Sequence, residues 1–221
     1  MNRAVIIMAK VPVTGTVKTR LQPILSPEKC VGLAEAFLYD TIKKAKTVCE
    51  NVILAYAPAG QKKILESIIP SEIVLIEQKG ENLGERMANA FVFTFSEYSP
   101  VVMIGTDSPT FPAEYITEAF DALERDAEIV LGKAKDGGFY LIGLRTPIPN
   151  LFDEIAWSSS AVFEQITRNI KNLGIEKLKL IPEHYDVDTP NDFLVMKKEI
   201  FADSELQKVA EKTYRWLLQN S

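Results

Sequence analysis

Residues 4–20 read Ala4-Val5-Ile6-Ile7-Met8-Ala9-Lys10-Val11-Pro12-Val13-Thr14-Gly15-Thr16-Val17-Lys18-Thr19-Arg20. The run Ala4–Ala9 is apolar without alternation, as expected of a strand covered on both faces of a parallel sheet. It leads into a loop of small residues, one glycine and three cations. This strand-then-polar-loop grammar recurs along the chain. Val52–Ala57, Ile73–Glu77, Val101–Gly105, Glu128–Leu131 and Phe139–Leu144 also read as strands.

Between the strands lie amphipathic segments with start signals. Ser26-Pro27 supplies a cap and a first-turn proline, and the helix after it shows Cys30, Ala34, Phe37, Thr41 and Ala45 on one face. Asn82 with Glu85 resembles a capping box ahead of Met87–Phe95. Phe111-Pro112 opens a helix to about Leu123. Ser160–Leu173 is another, stopped at Gly174. Thr189-Pro190 starts the next, with Asp192 in its first turn. Ser204 and Gln207 begin a last helix with the stripe Leu206, Val209, Ala210, Leu217 and Leu218. Its Tyr214 and Trp216 suit core packing by default. Strands alternating with helices predict an α/β fold: three layers, α/β/α, around a mostly parallel central sheet.

The 221 residues are 47% hydrophobic and 25% charged, average for a globular chain, which excludes broad disorder. A net charge of −5 argues against nucleic acid or an anionic membrane as partner. No apolar stretch approaches the roughly 18 residues of a membrane span. The apolar run at 4–9 is shorter than a signal-peptide core. Cys30 and Cys49 show neither metal-ligand spacing nor a redox motif. A cytoplasmic protein is expected.

In open α/β sheets ligands bind beyond the carboxyl ends of the strands, so the loops after each strand carry the candidates. The first loop suits a polyphosphate, with Arg20 able to contact it through two donors. Lys18-Thr19 does not complete a P-loop, because Val17 stands where glycine is required. Thr106-Asp107-Ser108-Pro109 comes directly after the strand Val101–Gly105. Asp107 there is either one carboxylate of a Mg²⁺ site or an ordinary turn aspartate. Asp136-Gly137-Gly138 is either a hairpin turn or a place of close backbone approach to a ligand. Asp186 and Asp188, just before a helix, either hold a hard cation or serve the helix end. His184, the single histidine, reads as a loop residue without a catalytic task.

Taken together, five stretches resemble a family of bacterial proteins related to nucleotide-diphospho-sugar transferases, with the GT-A glycosyltransferase fold. They are Ala9–Leu21, Asn82–Met87, Ile104–Pro109, Asp136–Gly143 and Asp186–Asp192, in that order, and they cover roughly residues 4–200. Some members are associated with glycosyl transfer in arsenosugar biosynthesis. Wider kin include sugar-nucleotide cytidylyltransferases and phospholactate guanylyltransferases. Three features depart from the family pattern: a first loop without the glycine-rich form, Thr-Asp-Ser-Pro in place of Asp-x-Asp, and Trp157-Ser158-Ser159 in place of Trp-Gly-Thr.

The resemblance implies one GT-A-like domain over residues 1–221, with 203–221 a C-terminal helix. It implies nucleotide or phosphate contacts from Lys10, Gly15, Lys18, Thr19, Arg20, Gly84 and Arg86. Asp136, Gly137, Gly138, Tyr140 and Trp157 would meet the sugar or acceptor. Asp107, Asp188 and Asp186 would hold Mg²⁺ or Mn²⁺, with Asp107 and Asp136 as the catalytic acids. The expected activity is glycosyl transfer from a nucleotide-activated sugar to a small acceptor. The rival within the fold is nucleotidyl transfer with pyrophosphate release, and a rival of another class is nucleotide binding without turnover. Neither the base nor the oligomeric state follows from the residues.

Overall fold

The computed structural model describes residues 2–220. Among these, seven strands form one sheet in the order β3-β2-β1-β4-β6-β5-β7. They are β1 Ala4–Lys10, β2 Asn51–Ala57, β3 Val74–Glu77, β4 Val101–Gly105, β5 Ile129–Ala134, β6 Phe139–Leu144 and β7 Leu178–His184. All neighbours are parallel except β6, which runs against both β4 and β5. The helices are α1 Pro27–Val48, α2 Lys62–Glu66, α3 Leu83–Phe95, α4 Ala113–Arg125, α5 Val162–Asn172, α6 Pro190–Ala202, α7 Ser204–Val209 and α8 Glu211–Asn220, with a 3-10 turn at Thr19–Leu21.

The unbroken apolar character of β1 has a direct cause. Val5, Ile7 and Ala9 face a core shared with Leu38 and Ile42 of α1 and Phe120 of α4. Ile6 points the other way, into a core with Met87 and Phe91 of α3 and Ile166 of α5. Both faces are covered, so alternation has no solvent face to mark. Fully burying each such side chain contributes about 1.5–3 kcal/mol relative to leaving it exposed. The expected three-layer, mostly parallel α/β architecture is the observed one.

Two elements depart from expectation. β7 lacks a strand signature because it lies at the sheet edge, where Ile181 is its buried residue. Its Pro182 falls at a register irregularity opposite Lys133, where no ladder N–H is needed. The segment expected as one C-terminal helix is two, α7 and α8, broken at Ala210. The cap of α7 is Asp203, whose carboxylate accepts from Glu205 N and Leu206 N, rather than Ser204. Asp40 of α1, fully buried, caps α8 by accepting from Lys212 N, Thr213 N and Thr213 Oγ1. α8 thereby packs on α1 and α6, with Leu217 buried and Trp216 edge-on to Phe193; Leu218 of the expected stripe faces solvent. No described helix is long and apolar enough to cross a membrane.

Candidate active site

A cleft of about 690 Å³ opens beyond the carboxyl ends of β1 and β4, walled by the first loop, α3, the β5–β6 hairpin and the loop after β7. Among its lining residues are Lys10, Lys18, Thr19, Arg20, Arg86, Asp107, Asp136, Gly138, Trp157, Asp186 and Asp188. Sequence motifs separated by most of the chain therefore meet in one place.

The first loop turns at Gly15, whose φ of +80° suits glycine. The hydroxyl of Thr16 donates to Val13 O at 2.8 Å and closes the turn. Val17 is buried and anchors the loop. Lys18 adopts a left-handed conformation, φ 48° and ψ 36°, at the start of the 3-10 turn. That conformation costs a non-glycine residue on the order of 1 kcal/mol. It aims the side chain inward, where only 6% of it stays exposed.

The Lys18 ammonium is the hub of the site. Nζ donates to Asp107 Oδ1 at 2.5 Å and to the Val187 carbonyl at 2.8 Å, and lies 3.5 Å from Asp188 Oδ1. The ring of Phe37 backs it at 5.0 Å. Burial works to lower the lysine's pKa. The charges of Asp107, Asp188 and Asp186, with the bond to Asp107, outweigh it and hold the pKa above the ordinary value. Arg20 is largely exposed and approaches Asp188 at 4.0 Å, free to swing toward an anion.

The three acids differ. Asp107 and Asp188 are open to solvent and share the Lys18 ammonium. Asp186, half-buried in the cleft wall, accepts a very short hydrogen bond from Ser108 Oγ. Burial pushes its carboxyl up to about 7; the Ser108 bond opposes the shift, and the charges of Asp107, Asp136 and Asp188 add to it. Among the described residues no three His, Cys, Asp or Glu side chains converge as a metal centre. Asp107 and Asp188, with the Val187 carbonyl, do form an all-oxygen set around one cation, the donor chemistry a hard divalent ion takes. Of the three expected ligands, Asp107 and Asp188 already share a cation, whereas Asp186 is bonded to Ser108 beside them.

The loop bearing Asp107 is held from below. Lys44 of α1, 4% exposed, donates to the Pro109 carbonyl at 2.9 Å and sits 3.7 Å above the Phe111 ring. Desolvation lowers its pKa to about 7 against the pull of Asp40 and Glu114. Val187 N donates to Asp107 O at 2.8 Å and ties the last loop to the Asp107 turn. His184 ends β7, with Nε2 3.1 Å from Thr110 Oγ1. Burial, then Lys44 and Lys135, lower its pKa to about 4, so it stays neutral.

On the opposite wall, Asp136-Gly137-Gly138 is the hairpin turn between β5 and β6. Ala134 N donates to Gly138 O, and Asp136 Oδ1 accepts from Gly138 N at 2.8 Å. Asp136 still lines the cleft, so the turn and the ligand-facing acid coexist. Gly137, at φ +93°, packs so closely on Ser160 that a Cβ would lie 2.1 Å from its carbonyl oxygen. Trp157 and Ser158–Ser160 complete this wall.

The other expected contacts differ in how they meet the cleft. Tyr140 lines it with little exposed surface, 4%, and its hydroxyl is engaged by Pro182 O at 2.9 Å. Gly84 is buried where a Cβ would meet Trp157 at 2.8 Å and the Phe152 carbonyl at 2.9 Å; it lets α3 approach that segment and does not line the cleft. Gly15 shapes the loop without lining the cleft. Arg86 lines it while donating Nε to Gly80 O at 3.0 Å. Sequence reasoning missed Gln78 and Lys44. Gln78 lines the cleft, and its amide donates to Ala9 O and Ala55 O across two strand ends. It directly follows β3, so the same strand-end rule would have found it. Lys44 carries no local signal; inside a helix it reads as a solvated charge.

Cations and carboxylates gathered beyond the strand ends of an open α/β sheet stand where such sheets bind ligands. A family described as an uncharacterized protein conserved in bacteria, DUF2064, matches residues 41–159, and the chain belongs to it. Over 129 residues it is 28% identical to a 2-phospho-L-lactate guanylyltransferase of Methanothermobacter thermautotrophicus. That match takes in 58% of this chain, and the chain spans only 56% of the relative. A crystal structure from Desulfovibrio desulfuricans, provisionally described as a nucleotide-diphospho-sugar transferase, superposes with a TM-score of 0.87. It is 26% identical, over 99% of this chain and 97% of the other. Rv0371c of Mycobacterium tuberculosis shares the fold at a TM-score of 0.58 and 13% identity, over 89% and 97% of the two chains. A structure of Rv0371c in complex with manganese aligns at 0.50, with 15% identity over 88% and 97%.

Proposed function

We propose that the protein is a metal-assisted transferase that takes a nucleotide-activated sugar and passes the sugar to a small hydroxylated acceptor. The observation that carries this is the division of charge across the cleft. All four cations, Lys10, Lys18, Arg20 and Arg86, line its β1–α3 side, with Asp107 and Asp188 beside Lys18, whereas Asp136, Trp157 and Ser158–Ser160 line the hairpin side. A diphosphate suits the first side. A neutral polyol, held by a carboxylate, hydroxyls and an aromatic face, suits the second. Arg20 and Lys10 would clamp the phosphates, and Asp136 would orient the acceptor hydroxyl. Asp107 and Asp188 are the residues that would hold Mg²⁺ or Mn²⁺, the latter being the ion in the Rv0371c complex. Such an ion, when bound, supplies charge neutralisation of the leaving diphosphate. The rest is positioning and electrostatic stabilisation by the chain itself.

Nucleotidyl transfer is the second reading, favoured by the guanylyltransferase relative. Incubation with sugar nucleotides and Mn²⁺ should release nucleoside diphosphate. Pyrophosphate release from nucleoside triphosphates, with no turnover of sugar nucleotides, would replace the first reading by the second. Asp107→Ala should abolish either activity. An unaltered rate in that variant would remove Asp107 from the site.

A further inference from the structure

The Lys18 ammonium sits where a metal bound by Asp107 and Asp188 would need the same oxygens. It is hydrogen-bonded to one carboxylate and to the Val187 carbonyl, and ion-paired to the other carboxylate. The lysine side chain is 6% exposed, while those of Asp107 and Asp188 are 51% and 41% exposed. The carboxylates are therefore reachable from solvent, yet part of their charge is already offset from beneath. The left-handed backbone at Lys18 and the Phe37 ring behind Nζ hold the ammonium in this position.

We propose that Lys18 is a built-in competitor of the divalent cation: it occupies the facing oxygens of Asp107 and Asp188 in the empty protein, and metal binds tightly only when an anionic ligand draws the ammonium away. This rests on the metal-assisted reading above and adds an order to it. Two positive charges a few ångströms apart repel, and both need Asp107 Oδ1. The phosphates of an incoming nucleotide offer Lys18 an alternative partner and the metal additional oxygens, so ligand and metal each favour the other. The empty protein would then neither scavenge metal nor leave Asp107 and Asp188 without a cation between them.

The test is Mn²⁺ binding without nucleotide, read from the electron paramagnetic resonance signal of free aqueous Mn²⁺. Lys18→Met should bind Mn²⁺ at least about tenfold more tightly than wild type. Lys18→Met combined with Asp107→Asn should lose that gain. Adding a nucleoside diphosphate should tighten Mn²⁺ binding to wild type by a larger factor than to Lys18→Met, after correction for Mn²⁺ held by free nucleotide. Lys18→Gln is the replacement should the methionine variant fold poorly, and Mn²⁺ should raise its Tm more than that of wild type. Folded Lys18 variants that bind Mn²⁺ no tighter than wild type would overturn the competition while leaving metal-assisted transfer standing. Absence of Mn²⁺ binding in every protein, with every nucleotide, would overturn both.

Discussion

Replacing Lys44 by methionine removes a buried ammonium at nearly constant shape, and the consequence depends on pH. In the unfolded chain the amine titrates near 10.5; in the native protein desolvation lowers it to about 7. Between these values the unfolded chain binds the proton and the native protein does not. Wild-type stability therefore rises with pH across this window, and the gain is lost as pH falls toward 7. One pKa unit is about 1.4 kcal/mol, so a fall from 10.5 to about 7 corresponds to about 5 kcal/mol, of which roughly 4 kcal/mol falls between pH 7 and pH 10. The Phe111 face 3.7 Å from Nζ favours the charged form and returns up to about 2 kcal/mol of this. Urea denaturation of wild type and Lys44→Met at each pH from 7 to 10 isolates the contribution, because groups uncoupled to Lys44 cancel in the difference. The variant should gain about 2–4 kcal/mol relative to wild type on going from pH 10 to pH 7. At pH 10 it should be the less stable by about 1–3 kcal/mol, since the Pro109 carbonyl loses its donor. A stability difference that stays flat across this range would refute the account of Lys44 as a desolvated amine under the Asp107 loop.

Three further substitutions probe what holds the site in place. Gly84→Ala should lower stability by about 1–3 kcal/mol in denaturant titration, because the new methyl would press on Trp157 and the Phe152 backbone. Tyr140→Phe should cost about 1 kcal/mol through the lost bond to Pro182 O. Its KM for any substrate should match wild type, since the hydroxyl is engaged by Pro182 O; a large rise in KM would place that hydroxyl among the binding groups. Asp40→Ala should destabilise by about 2 kcal/mol and expose α8 to early proteolysis, because three donors at the start of that helix lose their acceptor.

Local chemistry explains what the sequence alone determined about this protein. The strands β1, β2, β4 and β6 were legible because burial on both faces leaves an uninterrupted apolar run. Helix starts at Ser26, Asn82 and Thr189 were legible because a cap acts on an N–H three residues away. The loops that line the cleft were legible because strand ends point to ligands in this class of sheet. β7 was not, since an edge strand with one buried residue carries too little hydrophobic signal.

Tertiary structure alone decided the roles of individual side chains. Lys18 reads as a phosphate clamp in its own segment, yet its partners Asp107 and Val187 lie 89 and 169 residues away. Asp186 and Asp188 look equivalent in sequence, but one is bonded to Ser108, 78 residues distant, and the other is paired with Lys18. Gly84 shares a motif with the cleft residue Arg86, and its place on the helix turns it into packing against Trp157 and Phe152. Asp40 caps a helix that begins more than 170 residues later. The physical reason is common to all: propensity, capping and hydrophobic period act over a few residues, whereas burial and charge pairing depend on which distant segments the sheet brings together.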